Sequence, residues 1–246
     1  VRNSPKYLDS IDKKGNKFKF FDPITGYTYT SSSKKFSLGY KGLLDLSSLS
    51  FNTVQGWNFD SGFSYSNWKQ EEKGRRTNID LKFNYGFSDD LLRVNGKFWH
   101  QFNNQNYANI KVSGGTTVQQ FNSNEPISPF INSISTLFFN DNYMKLYNLE
   151  FAEIEYGQDV ANGVNLKAKI DYEQRKPLFD TTDFTFIKND DNTYSSNNPL
   201  DPNNYTDAGF EKHSLAKFDL NAKINFGNKY ASRPDGKFNI RNRKYP

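Results

Sequence analysis

Thr77–Gln101 reads TNIDLKFNYGFSDDLLRVNGKFWHQ, two runs of strict alternation about Asp89-Asp90. Ile79, Leu81, Phe83, Tyr85 and Phe87 fall on one side of an extended chain, and Asn78, Asp80, Lys82, Asn84 and Gly86 on the other. Period-two alternation marks a strand with one apolar and one polar face. With Asp89-Asp90 as a two-residue hairpin loop, Ser88 pairs with Leu91. Phe87 then meets Leu92, Tyr85 meets Val94, Phe83 meets Gly96 and Leu81 meets Phe98. On the polar side Gly86 meets Arg93, Asn84 meets Asn95 and Asp80 meets Trp99. A slip of one residue would mix the faces.

The same pattern recurs outward from this hairpin. In Gly56–Ser66, Trp57, Phe59, Phe63 and Tyr65 alternate with Asn58, Asp60, Gly62 and Ser64. Ala108–Gln119 is a weaker strand. Leu149–Asp159 and Gly163–Glu173 form a second hairpin about Ala161-Asn162-Gly163, with Val160 opposite Val164, Tyr156 opposite Ala168, Ile154 opposite Ile170 and Glu155 opposite Lys169. Leu215, Phe218, Leu220, Ala222, Ile224 and Phe226 alternate with Lys217, Asp219, Asn221, Lys223 and Asn225. Gly26–Thr30 and Lys17–Phe21 are short strand candidates, Val1–Asn16 reads as irregular, and the tail from Asn228 reads as a turn leading to an indistinct strand. Residues 67–76 and 174–212 read as long polar loops.

The segment 121–147 breaks the alternation. Ile127, Phe130, Ile131, Ile134, Leu137 and Phe138 recur at spacings of three and four, which predicts a helix over 129–139 with Ser128 as N-cap and Pro129 in the first turn. Its apolar stripe reads as buried packing, with plugging a lumen or packing on a partner as the other roles. Either an ascending strand hides within 120–147, or this segment shares its side of the sheet with Asp89-Asp90 and the later loops invert.

Composition narrows the class. Hydrophobic residues are 35% and mean hydropathy is −0.85, yet aromatics reach 17%, with 23 Phe and 15 Tyr. Few aliphatics and many aromatics suit strands that are apolar on one side only. With no Cys there is neither a disulfide framework nor a thiolate metal site. The 32 basic and 27 acidic residues are interspersed, leaving no nucleic-acid footprint. No run approaches the roughly 20 apolar residues of a spanning helix, but a spanning strand needs only about 9–11. The fold class expected is therefore all-β, part of an antiparallel outer-membrane β-barrel spanning 1–246 with a helical insertion. Soluble sandwiches use similar hairpins. Strand length, aromatics at strand ends (Tyr65, Tyr85, Phe87, Tyr172, Phe226) and alternation of tight turns with long polar loops favour the barrel. The chain opens on Val1 without Met and stops without a closing strand, so a piece of a longer protein is expected.

In a barrel, Ile79, Leu81, Phe83, Tyr85, Phe87, Val94, Phe98, Ile154, Ile170, Leu220, Ile224 and Phe226 would face lipid. Asp80, Lys82, Asn84, Arg93, Lys97, Glu155, Lys167, Lys169, Asp171, Lys217, Asp219 and Lys223 would face the lumen. Glu153, Glu155, Asp171 and Glu173 look like paired acids, but Lys167 and Lys169 interleave with them, so a charge-balanced ladder is the favoured reading over an acid–base site. His100 and His213 read as interface or solvent histidines. Asn189-Asp190-Asp191-Asn192, Asp201 and Asp207 offer oxygen ligands without the spacing of a calcium loop. No enzyme, metal or cofactor is expected.

NSPKYLDSIDKKGNKF (3–18), FNTVQGWNFDSG (51–62), NEPISPFINSISTLFFNDNYMKLYN (124–148), SSNNPLDP (195–202) and RPDGKFNIRNRKYP (233–246) add a resemblance. They are similar to the membrane portion of a Bacteroidetes outer-membrane β-barrel family of unknown function whose members carry an N-terminal carboxypeptidase-regulatory-like domain. The resemblance implies an outer-membrane barrel catalogued beside TonB-linked systems, with no assigned catalytic residue. Expected partners are the lipid bilayer, lipopolysaccharide, and other outer-membrane proteins or surface lipoproteins. Three functions follow as expectations: a structural or assembly partner in an envelope complex, a transport channel, or a soluble glycan-binding sandwich using Trp57, Trp68 and Trp99.

Overall fold

The computed structural model describes residues 4–43, 49–68, 74–122, 124, 126–187, 194–226, 229–233 and 236–240. In chain order the elements are α1 (Pro5–Gly15), α2 (Asp22–Thr25), β1 (Tyr27–Ser31), β2 (Phe36–Tyr40), β3 (Leu49–Asn52), β4 (Gly56–Asn67), β5 (Arg76–Gly86), β6 (Leu91–Gln101), β7 (Asn109–Gln120), α3 (Pro129–Phe139), β8 (Leu146–Ala161), β9 (Val164–Pro177), β10 (His213–Ile224), β11 (Lys229–Arg233) and β12 (Gly236–Ile240). The chain is all-β in class. One antiparallel sheet runs β1-β2-β4-β5-β6-β7-β8-β9-β10, with β3 also paired to β4, and β11-β12 form a separate two-stranded sheet. The main sheet is open, with β1 and β10 at its ends. The outer edge of β1 is partly occupied, because the Asn16 side chain bonds both the N–H and C=O of Thr30, at 2.9 and 2.6 Å.

The β5–β6 hairpin keeps the expected faces but not the expected register. Gly86 pairs with Leu91, Tyr85 with Leu92, Phe83 with Val94, Leu81 with Gly96, Asn84 with Arg93 and Asp80 with Lys97. The shift is two residues, which preserves every side-chain direction. Its cause lies on the neighbouring strand. The Phe87 N–H donates to the Trp57 C=O and the Ser88 N–H to the Gln55 C=O, both at 2.9 Å. Phe87 and Ser88 are thus recruited by β4 and the turn before it, leaving a four-residue turn with Asp90 at φ 51°. The β8–β9 pairing has Glu155 opposite Lys169 and Ile154 opposite Ile170. Ala161, not Val160, faces Val164, with a register irregularity between Asp159 and Ala161.

Among the described residues no strand lies between β7 and β8, which pair directly. The segment bearing α3 therefore shares one end of the sheet with the turns at 53–55 and 87–90 and with residues 178–187 and 194–212. The tight turn at Asn162-Gly163 lies at the other end. Two more expectations are corrected. Residues 5–15 are helical rather than irregular: Ser4 caps α1 by accepting the Tyr7 N–H, Pro5 starts it, and Lys13 and Lys14 sit in its last turn. Residues 17–21 form no strand; the Lys19 N–H instead donates to Asp22 Oδ2 at the start of α2.

The clustered core lies at one end of the sheet and not across its faces. Val54, Met144 and Leu146, with Val118, Ile127 and Leu178 against them, cluster at the end that holds α3. Around them the described parts of the following connection, 178–187 and 194–212, fold inward. Asn197 Oδ1 accepts the Leu146 N–H, and its Nδ2 donates to the Leu146 and Leu178 carbonyls. Tyr194 donates to the Thr136 C=O, and Asn142 to Thr53 Oγ1. Buried amides thus satisfy buried backbone groups and make a polar cap on this end of the sheet. The cap is reached because β7 leaves β6 at Gly115, where their pairing stops. Gly115 has φ 131°, and a Cβ there would lie 2.2 Å from the Val94 carbonyl oxygen, so glycine is required.

Candidate functional site

The sheet carries two chemically opposite faces, and cross-strand register turns each into continuous rows. One row runs Phe218, Ile170, Ile154, Val112, Phe98, Ile79, Tyr65, Leu38, Tyr29, across every strand from β10 to β1 save β3. All nine are apolar or aromatic. Eight are exposed, from Ile79 at 37% to Phe218 at 67%, and Tyr65 is half-buried. The adjacent row points the other way and reads Lys217, Asp171, Glu153, Ser113, Lys97, Asp80, Ser64, Gly39, Thr28.

The other expected apolar-face residues take their places around the first row. Leu81, Phe83 and Tyr85 lie on β5, Val94 on β6, and Leu220 and Ile224 on β10. Phe87 and Phe226 do not lie on strands: Phe87 is in the β5–β6 turn and Phe226 follows the end of β10. Polar residues bound the apolar band. On β8, Glu150 at one end pairs with Lys176, and Gln158 at the other accepts the Tyr156 hydroxyl. The eight steps from Glu150 to Gln158 span about 26 Å along the strand.

The polar face of β7–β10 is a connected ion-pair ladder. Lys111 bonds Glu153 at 2.6 Å, and Lys167 reaches Glu155 at 3.6 Å. Lys169 sits among Asp171, Asp219 and Glu153 at 3.3, 3.2 and 3.9 Å. Lys217 bonds Glu173 at 2.6 Å and Asp171 at 3.4 Å, and Arg175 bonds Glu173 at 2.8 Å. Each carboxylate therefore has a cation beside it, and all but Glu155 belong to one network, which offsets the mutual repulsion that tunes a catalytic acid pair. Single pairs at this exposure contribute at most about 1 kcal/mol. Their joint effect is to fix register. Lys223 faces Asn165, beyond the paired part of the ladder.

Towards β1 the polar face forms a cavity of about 750 Å³ whose walls include Asp60, Asp80, Lys41, Lys82, Asn84 and Asn95. Asn84 ties its wall together, donating to Asp60 at 3.1 Å and accepting from Gln55 at 2.7 Å. Lys97 stands opposite Asp80 in the strand register. Arg93 is buried at 2% exposure, with Nη2 at 2.7 Å from Asp89 and Nε at 2.9 Å from Asn148. It thereby joins the β5–β6 turn to β8. Sequence reading missed Asp89 as its partner, although the four-residue separation within a turn was a usable signal.

The remaining candidates do not converge. The His100 ring lies between Phe98 and Phe102, with Nδ1 2.9 Å from Thr77 Oγ1, while His213 Nδ1 is 2.9 Å from the Glu211 carbonyl oxygen. Trp57 opens β4 and Trp68 follows its end, about 36 Å along the strand. Trp99 points to the polar face, opposite the side of Trp57, so the three do not form one sugar platform. Asn189–Asn192 lie outside the described residues. Asp201 and Asp207 accept the backbone N–H groups of Asn203 and Gly209, and no metal-binding cluster occurs among the described residues.

Among the described residues outside the strands, Lys145 is strongly perturbed. Lys145 Nζ donates to the Ser195 carbonyl, Ser195 Oγ and the Ser196 carbonyl at 3.3, 2.8 and 2.6 Å. Burial pushes its ammonium down to about 8, with Asp180 acting in the opposite sense. A lysine whose folded-state pKa lies below its unfolded value of about 10.4 destabilises the fold while charged, and that cost is relieved as pH rises from about 8 to 10.4. Denaturant midpoints of the native chain should therefore rise relative to those of Lys145→Met across this window. A constant difference between the two would contradict the assignment.

No curated protein and no solved structure matches this chain. Residues 21–246, covering both faces and the polar cap, match the C-terminal domain of a family of unknown function (DUF5686), and the chain belongs to that family.

Proposed function

We propose that this chain is part of an integral outer-membrane β-barrel that acts without catalysis as a structural or assembly partner in a larger envelope complex. The observation that carries this reading is the nine-strand apolar row, exposed on one face while the adjacent polar row points to the other. A soluble sheet of this width would cover such a row with a second layer. Among the described residues the main sheet has no such layer. Strands β4–β10 run from 11 to 16 residues. Eleven residues reach about 36 Å, or about 28 Å along the membrane normal at a tilt of about 40°. Lipid and lipopolysaccharide would meet the apolar row, and closure would require strands outside those described. The resemblance to Bacteroidetes outer-membrane proteins supports the location, and the polar cap across one end of the sheet supports a non-conducting role.

The cavity beside Lys82 and Asp60 favours a second reading, a transport channel for a polar solute. Native purification of the full-length protein from outer membranes, followed by planar-bilayer recording, separates the two. Stable outer-membrane protein or lipoprotein partners without conductance are the expected result. Isolation alone, with steady conductance, would replace the structural reading with transport.

A further inference from the structure

Helix α3 is inverted relative to an ordinary surface helix. Its sequence, PFINSISTLFF, contains no charged residue. The expected apolar stripe is present, but the structure corrects its direction. Phe130, Ile131, Ile134, Phe138 and Phe139 are exposed, while Asn132, Ser133 and Thr136 are buried along with Leu137.

Hydrogen bonds fix this orientation. Asn132 Oδ1 accepts the N–H groups of Tyr143 and Met144, both at 3.0 Å. Ser133 Oγ accepts the Phe51 N–H of β3 at 2.8 Å and donates to the Pro129 carbonyl at 2.7 Å. Near the other end of the helix, the Leu137 carbonyl accepts the Phe186 N–H and the Thr185 hydroxyl, at 2.9 and 2.8 Å. Turning the helix to hide its phenylalanines would leave these buried backbone groups unpaired, at about 1–3 kcal/mol each. Ser128 stands at the N-cap position without a side-chain cap bond, so the helix is held from its side rather than its end.

The exposed stripe continues into the apolar face of the sheet. Trp57 shares the side of Phe59 on β4, and its ring packs on Phe51 at 5.5 Å. Phe51 meets Phe184 at 5.9 Å, Phe184 meets Phe186 at 5.4 Å, and Phe186 meets Phe138 of α3 at 5.4 Å. An unbroken chain of rings thus leads from the sheet face to the helix.

We infer that α3 is an interfacial helix whose Phe130–Ile134–Phe138 side lies in lipid at the boundary of the bilayer. This rests on the membrane reading of the sheet proposed above. Eleven residues give a helix of about 16 Å, too short for a hydrocarbon core of about 30 Å, so α3 lies along the interface rather than across it. Absence of charge and continuity with the sheet's apolar face select lipid over a protein surface, which would ordinarily bring a polar rim.

The test places one nitroxide at a time in the full-length protein in phosphatidylcholine vesicles. Labels go at Phe130→Cys or Ile134→Cys, with Phe83→Cys reporting the sheet face and Lys97→Cys the polar face. Relaxation is read with oxygen, which concentrates in lipid, and with a polar nickel chelate. The expected result is oxygen-dominated relaxation at 130, 134 and 83, deeper at 83, and nickel-dominated relaxation at 97. Oxygen at 83 with nickel at both helix sites would put α3 in water and overturn the inference alone. Oxygen at 83 with neither reagent at the helix would mean that a protein covers it, which would also overturn the inference alone. Nickel at 83 would remove the membrane reading itself, and the inference with it.

Discussion

Phe83→Arg is expected to destabilise the membrane-folded chain by about 2–4 kcal/mol, the cost of a cation on the lipid face near the bilayer midplane. Phe83 sits two residues from the centre of β5, flanked in the sheet by Ser61 and Val94. Its neighbour Lys82 points the opposite way, into the polar cavity. Lys82→Ala removes an amphipathic side chain from a wet wall and should cost no more than about 1 kcal/mol. Folding equilibria of both variants in lipid vesicles give the comparison. Equal costs would mean the two faces do not meet different solvents.

Arg93→Ala carries the second large effect. The guanidinium is buried, and its removal leaves the nearly buried Asp89 carboxylate without its cation, with a further hydrogen bond lost at Asn148. Breaking a buried pair from one side costs about 3–5 kcal/mol, while removing both charges costs less. Arg93→Met combined with Asp89→Asn should therefore be more stable than Arg93→Ala, and a double-mutant cycle should report strong coupling. Urea midpoints of the reconstituted protein measure this. A loss under about 1 kcal/mol for Arg93→Ala would show that the turn and β8 are not held by this contact.

Both residues belong to a stretch whose faces were legible in the sequence, yet the pairing differed by two residues. Alternation specifies which side a residue faces, and a two-residue shift leaves that unchanged. The register was decided by Gln55 and Trp57, whose carbonyls capture Ser88 and Phe87 from outside the hairpin. Within the ladder around Lys169, Glu153 and Asp171 were readable because a tight turn and a period of two place them, whereas Asp219 comes from β10 across the long connection that follows β9. Helix α3 shows the opposite limit. Spacings of three and four located it at Pro129–Phe139, but periodicity gives a stripe without naming the medium it meets. In sequence the stripe reads as core, whereas in the structure Asn132, Ser133 and Thr136 hold the inner side. The polar cap left no trace in composition, since Asn197 and Tyr194 lie in a segment as polar as any solvated loop. α1 was hidden because it buries no residue, so no apolar stripe announces it, although Ser4-Pro5 and Lys13-Lys14 were cap signals.

The central claim is that the apolar row from Phe218 to Tyr29 contacts lipid. Fractionation of cells expressing the full-length protein tests it most directly. The protein should sediment with the outer membrane, stay there through an alkaline carbonate wash, and be released only by detergent. Recovery in the soluble fraction without detergent would contradict the claim and require a second layer over the nine-strand row.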